Sequence, residues 1–278
     1  MSTELVHRPR LDDVRRRVRE RVPFSWRLAV RRAPHHLLWR VAPPRTLPVG
    51  PPLTEVVCER TSPLRRPGTT YELPVQAAKE HNVATAARAL HGRTIRPGEV
   101  LSWHAHVGPP TLARGFALGP ELHDGRVALG AGGGLCQVAN LLYWLAVHGG
   151  MLMMERHRHD LDLFPDDQRD VPFGLGATVF WPRRDLVVGN PHPVSLHVSM
   201  EVADGLLVGR LTAEGPLGAH WGVREVDHRF VRRGDTIRRE NRLVRWRNDL
   251  SGTMSEEALA EHSARVAYAV APELVEDR

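Results

Sequence analysis

The stretch GAGGGLCQVANLLYWLAVHGG, residues 130 to 150, constrains this chain more than any other. Glycines at 130, 132, 133 and 134 permit positive φ and close backbone approach, and the apolar run after them predicts a helix. That helix should begin near Cys136, run to His148 and end at Gly149-Gly150. On a helical wheel Val138, Leu141, Leu142 and Leu145 fall opposite Cys136, while Asn140, Tyr143 and Val147 fall on its side. The leucine face is expected on the core and the cysteine face in a cleft.

Around this helix the pattern alternates between turns and strands. EVVCER reads as a strand that buries Cys58, and VQAAKEHNVATAARALHGRTI as a helix ending near Gly92. EVLSWHAHVG reads as a strand, and GFALGPELHDGRVALG as a hairpin turning at Asp124-Gly125. MLMMERHRHDLDLF reads as one strand beside the Cys136 helix, with Glu155, His157 and His159 on one face. PVSLHVSMEV alternates strictly and turns at Asp204-Gly205 into LLVGRLTAEG. Further strands of mixed charge follow, with a turn at Gly234-Asp235. The expected class is α+β, mainly antiparallel sheet around a central Gly-Cys helix, with a basic helical N-terminal segment. The expected division is 1–50 as a basic helical extension with a Pro-rich linker, 51–205 as the main domain, and 206–278 as its strand-rich C-terminal part.

Composition removes several function classes. No window approaches a membrane-spanning apolar run, and MSTELVHRPRLDD lacks the apolar core of a signal peptide, so a cytoplasmic location is expected. Two cysteines are too few for a disulfide framework. Residues 1–50 hold 12 arginines against four acids, whereas the rest of the chain carries 26 basic and 28 acidic residues (38 − 12 and 32 − 4). This end-loaded charge makes residues 8–41 a candidate basic amphipathic helix for an anionic membrane surface, with packing on the main domain as the rival reading. No nucleic-acid motif accompanies it, and no nucleic-acid partner is expected. No Gly-Lys-Ser/Thr follows the glycines, so a phosphate-cradling loop fits poorly, and no cofactor is expected.

A thiol in the first turn of a helix feels the positive end of the dipole, and the turn's free amides can hold an oxyanion. With a histidine on a neighbouring strand this is the arrangement of a thiol hydrolase. The candidate catalytic set is Cys136 as nucleophile, His159 as acid and base with His157 as its alternate, and Asp160 or Asp162 as the orienting group. Gly133, Gly134 and Gln137 are the candidate oxyanion and substrate contacts, joined by Asn140, Arg156, Arg158 and Arg169. The substrate class would be a small peptide-like or amino-acid-derived amide or ester. Two rival readings use the same residues. One is a binding protein in which the glycines and arginines hold an anionic ligand without chemistry. The other is a metal protein, using the His-x-His pair with Cys136 or Glu155.

The run Gly132-Gly133-Gly134-Leu135-Cys136-Gln137, then Asn140-Leu141-Leu142-Tyr143-Trp144, Glu155-Arg156-His157-Arg158-His159, Phe164-Pro165-Asp166, Arg169, Pro172-Phe173-Gly174 and Gly176-Ala177-Thr178, resembles the VanW family. Arg96-Pro97-Gly98-Glu99 and Gly115-Phe116 fit as well, and the likeness covers roughly residues 55 to 200. The resemblance implies a neighbourhood, glycopeptide-antibiotic resistance and the rebuilding of peptidoglycan precursors, rather than a reaction. One departure stands out. Many members carry an aspartate just before the Ala-Thr pair, and this chain carries Gly176.

Overall fold

The computed structural model describes residues 45–65, 72–123, 126–162, 165 and 171–277. Fourteen β-strands accompany three α-helices among these residues, so the chain is mostly β and the α+β expectation is overturned. The basic helical segment, 8–41, lies outside the described residues, as do Arg169 and the Asp124-Gly125 turn.

The order is β1 (Glu55–Pro63), α1 (Leu73–Leu90), β2 (Arg93–Ile95), β3 (Val100–Ser102), α2 (Trp103–Val107), β4 (Leu118–His123), β5 (Arg126–Ala131), α3 (Cys136–His148), β6 (Leu152–Glu155) and β7 (Leu161–Asp162). β8 (Val187–Gly189), β9 (Leu196–Ala203), β10 (Leu206–Ala213), β11 (Ala219–Arg233), β12 (Thr236–Asp249), β13 (Met254–Val266) and β14 (Val275–Asp277) complete it. Four sheets result, ordered β1-β10-β9-β2, β14-β11-β12-β13-β7, β3-β8-β6 and β4-β5.

The first sheet and α3 build the core together. Leu196, Val198 and Met200 on β9 and Leu207 and Leu211 on β10 are buried to 1% exposure or less, and α3 packs on β1 and β10. The β9–β10 hairpin turns through Asp204 (φ 50°) and Gly205 (φ 74°), both left-handed, as a two-residue turn between twisted strands demands. β11, β12 and β13 are long and mixed in charge because their outer faces are exposed. Cross-strand pairs such as Arg224–Glu256 at 2.6 Å occupy those faces.

Two expected strands are not formed as such. EVLSWHAHVG is a strand only to Ser102, whose hydroxyl accepts the Ala105 amide at 3.1 Å and starts α2. The MLMMERHRHDLDLF strand stops at Glu155, and residues 156–160 run outside any sheet before β7 joins β13 in parallel. The arginine side chains explain the break. Arg156 donates to the carbonyls of Gly174 and Gly176, and Arg158 to that of Glu261, so these arginines hold the segment in place of a strand ladder.

Candidate functional site

The turn that launches α3 is set by contacts on both sides. A Cβ on Gly133 would lie 2.2 Å from the Gly119 carbonyl in β4, and one on Gly134 (φ +99°) would lie 2.6 Å from Lys79 Cγ in α1. Asn82 of α1, fully buried, locks these layers together. Its Nδ2 donates to the carbonyls of Ala117 (2.9 Å) and Gly133 (3.0 Å), and its Oδ1 accepts the Ala117 amide at 2.8 Å. Within the turn the Leu135 amide donates to Gly132 O and the Gln137 amide to Gly134 O. The amides of Gly134 and Cys136 have no such partner among the described residues.

A cleft of about 1170 Å³ opens over this turn, and Cys136, Gln137, Asn140 and Trp144 form its floor. Tyr143 and Val147, which the helical wheel places beside the cysteine, are fully buried. α3 packs on β1, β10, β6 and β11, and that enclosure leaves only this narrow stripe open.

Cys136 lines the cleft as a protonated thiol, its Sγ donating to the Val179 carbonyl at 4.0 Å. Burial pushes the thiol up, and the Arg184 guanidinium offsets this only in part. A first-turn dipole is worth about 1 kcal/mol, less than the several kcal/mol that desolvating a thiolate costs, so no resting thiolate is expected. His157 does not serve the sulfur. Its Nε2 lies 2.9 Å from Glu155 Oε1, and its carbonyl accepts the Thr178 amide. His159 lines the same cleft, and its imidazole is held down first by burial and then by Arg184, with Asp160 opposing. Neither ring makes a hydrogen bond to Cys136 among the described residues.

Asp160 is exposed at the cleft edge, where its carbonyl accepts the Arg265 amide. Asp162 is buried elsewhere in purpose. It accepts the Tyr268 hydroxyl at 2.9 Å and pairs with the buried Arg239 at 3.5 Å, while also bordering the cleft. The structure therefore brings Cys136, His159, Asp160 and Asp162 to the lining of one cleft.

The predicted binding residues divide in the same way. Asn140 Oδ1 accepts the Ala177 amide at 2.7 Å, and a Cβ on Gly176 would meet that same oxygen at 2.8 Å. A side chain at 176 would thus have to displace Asn140, which is the local meaning of the missing aspartate. Gln137 Nε2 donates to Ser62 Oγ and Pro63 O, which ties α3 to β1. Arg156 is a structural clamp: it donates to Gly176 O at 2.7 Å and lies 4.6 Å over the Tyr143 ring. Its Nη2 also meets His262 Nε2 at 3.0 Å, and His262, pushed down to about 3 chiefly by burial, stays neutral to accept it. Among the described residues no three His, Cys, Asp or Glu side chains converge as metal ligands.

One element of the rim has no counterpart in the sequence reading. Phe180 to Arg184 form a tight hairpin in which the Phe180 amide donates to Arg184 O at 2.9 Å and the Arg184 amide to Phe180 O at 2.8 Å. Phe180 and Trp181 are 39% and 38% exposed at the cleft. The next residue, Asp185, roots the hairpin: it accepts Ser102 Oγ at 2.7 Å and the amides of His104 and Leu186 at 2.9 and 2.8 Å. The available signal was the string FWPRR itself, two aromatics, a turn-forming proline and two cations within five residues.

Residues 78–212 match the family described as "VanW like protein". The chain is 27% identical over 169 residues to "Vancomycin B-type resistance protein VanW" of Enterococcus faecalis, covering 61% of this chain and 62% of that one. It is 29% identical over 126 residues to "Uncharacterized protein YoaR" of Bacillus subtilis, covering 44% and 39%. The chain thus spans less than two thirds of either relative, and no solved structure matches it at a comparable level. The matched region, residues 78–212, takes in most of α1, the glycine turn, α3 and the Phe180 hairpin, and over that region the chain is similar to the VanW family.

Proposed function

We propose that the cleft over α3 binds an anionic, peptide-like ligand. The observation that carries this reading is a cleft of about 1170 Å³, floored by the first turn of α3 and rimmed by guanidinium groups. Arg183, Arg184 and Arg265 line it with no ion pair among the described residues, whereas Arg210, Arg224, Arg229, Arg232 and Arg245 all hold carboxylates elsewhere. Uncommitted guanidiniums beside helix N-terminal amides suit a carboxylate or phosphate. The volume, above that of a typical small-molecule pocket, suits an extended chain. The E. faecalis relative is named for vancomycin resistance, which supports a cell-wall precursor as the peptide source. Calorimetric titration with a soluble cell-wall stem peptide bearing free carboxylates should give saturable binding that weakens as salt is raised. Absence of saturable heat at low salt would overturn this reading.

A second reading, cysteine-dependent acyl transfer, draws on the amides of Gly134 and Cys136, which meet no carbonyl among the described residues, and on His159 in the same cleft. In it the Cys136 thiol passes its proton to His159 as sulfur bonds the substrate carbonyl. The carbonyl-to-leaving-group bond then breaks, and the leaving group takes that proton. Ligand binding would have to bring sulfur and imidazole together, since catalytic hydrogen bonds often tighten only with substrate. Incubation with p-nitrophenyl acetate should then leave an acetyl group on Cys136, visible by intact mass and absent in Cys136→Ser. An unmodified wild-type chain would leave binding alone. Contact of residues 8–41 with an anionic membrane surface and a cytoplasmic location are further proposals. No described helix is long and apolar enough to cross a membrane.

A further inference from the structure

We infer that Arg184 is the anchor for a terminal carboxylate of the ligand, with Trp181 and Phe180 beside it covering the adjoining side chain. The cleft would then select the end of a peptide rather than its interior. This rests on the binding reading above and names its recognition group.

Three observations converge on Arg184. The first is position. It lines both the main cleft and a smaller adjoining cavity of about 500 Å³ whose other cationic walls are Arg156 and Arg158. The second is availability. Arg156 is consumed by the carbonyls of Gly174 and Gly176 and by the Tyr143 ring, and Arg158 by the carbonyl of Glu261. The Arg184 guanidinium has no ion pair or side-chain hydrogen bond among the described residues, and its residue is exposed. Its fork is the free one of the three, and a fork matches a planar carboxylate with two parallel hydrogen bonds. The third is reach. Arg184 lines the same cleft as Cys136 and His159, so an anion on it would share that cleft with both groups.

The hairpin is also firm enough to place that charge. Its two ends are cross-bonded, and Asp185 fixes its base to α2 through two donors, the Ser102 cap hydroxyl and the His104 amide, so little ordering is left for a ligand to bring about. Trp181 rests edge-on to the His104 ring at 4.9 Å and still exposes 38% of its surface. An aromatic held in place at a rim beside an uncommitted cation presents an apolar contact next to a charged one. A free carboxylate flanked by an apolar side chain, as at a peptide C-terminus, satisfies both.

The test is calorimetric titration of the full chain with N-acetyl-alanyl-phenylalanine and with its C-terminal amide. Wild type should bind the acid about tenfold or more tightly than the amide, the difference expected of one charge-assisted contact. Arg184→Gln should erase the preference while still binding the amide, and Arg184→Lys should restore only part of it. Arg183→Gln should keep most of it, and Trp181→Ala should weaken acid and amide alike. Equal binding of acid and amide by wild type, or a preference that survives in Arg184→Gln, would sink the carboxylate anchor and leave the binding cleft standing. No binding of either probe, together with none of the stem peptide, would overturn both. The substituted side chains are exposed, and an unchanged thermal midpoint separates lost recognition from lost folding.

Discussion

At the scale of the residue, the two thiols differ in setting and share a direction. Cys58 donates to the Leu145 carbonyl at 3.6 Å, and burial pushes it up to about 12. Cys136 is also raised by burial, yet it lines a cleft. Only a thiolate reacts with iodoacetamide, so both should be slow at neutral pH and faster in base, with Cys136 modified before Cys58. Mapping alkylation by mass across pH checks this. A Cys136 that reacts rapidly at pH 7 in the free protein would show that desolvation does not dominate there. Asp162 illustrates what adjacency hides. It sits three residues from His159, yet it bonds Arg239 of β12 and Tyr268, both distant along the chain. Asp162→Asn removes the nearer of two carboxylates beside the buried Arg239 guanidinium, the other being Glu225 at 4.0 Å, and should cost about 1–3 kcal/mol in urea unfolding.

At the scale of the element, the glycine turn and α3 were legible because glycine followed by an unbroken apolar run has few other solutions. The reason for each glycine was not, since Gly119 and Lys79 come from distant parts of the chain. Gly133→Ala should destabilise by about 1–3 kcal/mol or more, because the clash is with backbone that cannot rotate away. A melting temperature equal to wild type would contradict that packing. The ERHRH segment misled for a related reason. Alternation of His and Arg fits a strand, but arginines that bond distant carbonyls hold this segment without a ladder. The same logic removed the second half of EVLSWHAHVG from its strand, where the Ser102 cap won.

At the scale of the whole molecule, stability should depend on pH through groups buried in disfavoured charge states. His104 is pushed down to about 4 and His262 to about 3, both chiefly by burial, from an ordinary 6.5. Their contribution is complete above 6.5 and is lost as acid forces protons onto them, because the unfolded chain binds those protons first. Asp185 runs the other way. Burial raises it to about 7 from 3.8, so its contribution is complete below 3.8 and lost as pH rises through 7. Between about 4 and 6.5 two histidines oppose one aspartate, and net stability should fall with acid. Asp185→Asn removes the opposing slope. The variant should lose stability more steeply in acid and exceed wild type at pH 8, as urea unfolding at a series of pH values would show. A variant no more stable than wild type at pH 8 would mean that Asp185 is charged without penalty.

The sequence by itself determined the local events: where glycine must turn, where α3 starts, which hairpins close at Asp204-Gly205 and Gly234-Asp235, and which motif run carries the likeness to a known family. These follow from neighbours along the chain, whose conformational limits are written in residue type. Tertiary structure alone decided the pairing of Asp162 and Arg156 with distant partners, the raising of the Cys136 thiol by burial, and the emergence of Arg184 at the cleft. Desolvation and side-chain pairing depend on which distant surfaces meet, and no spacing along the chain encodes that.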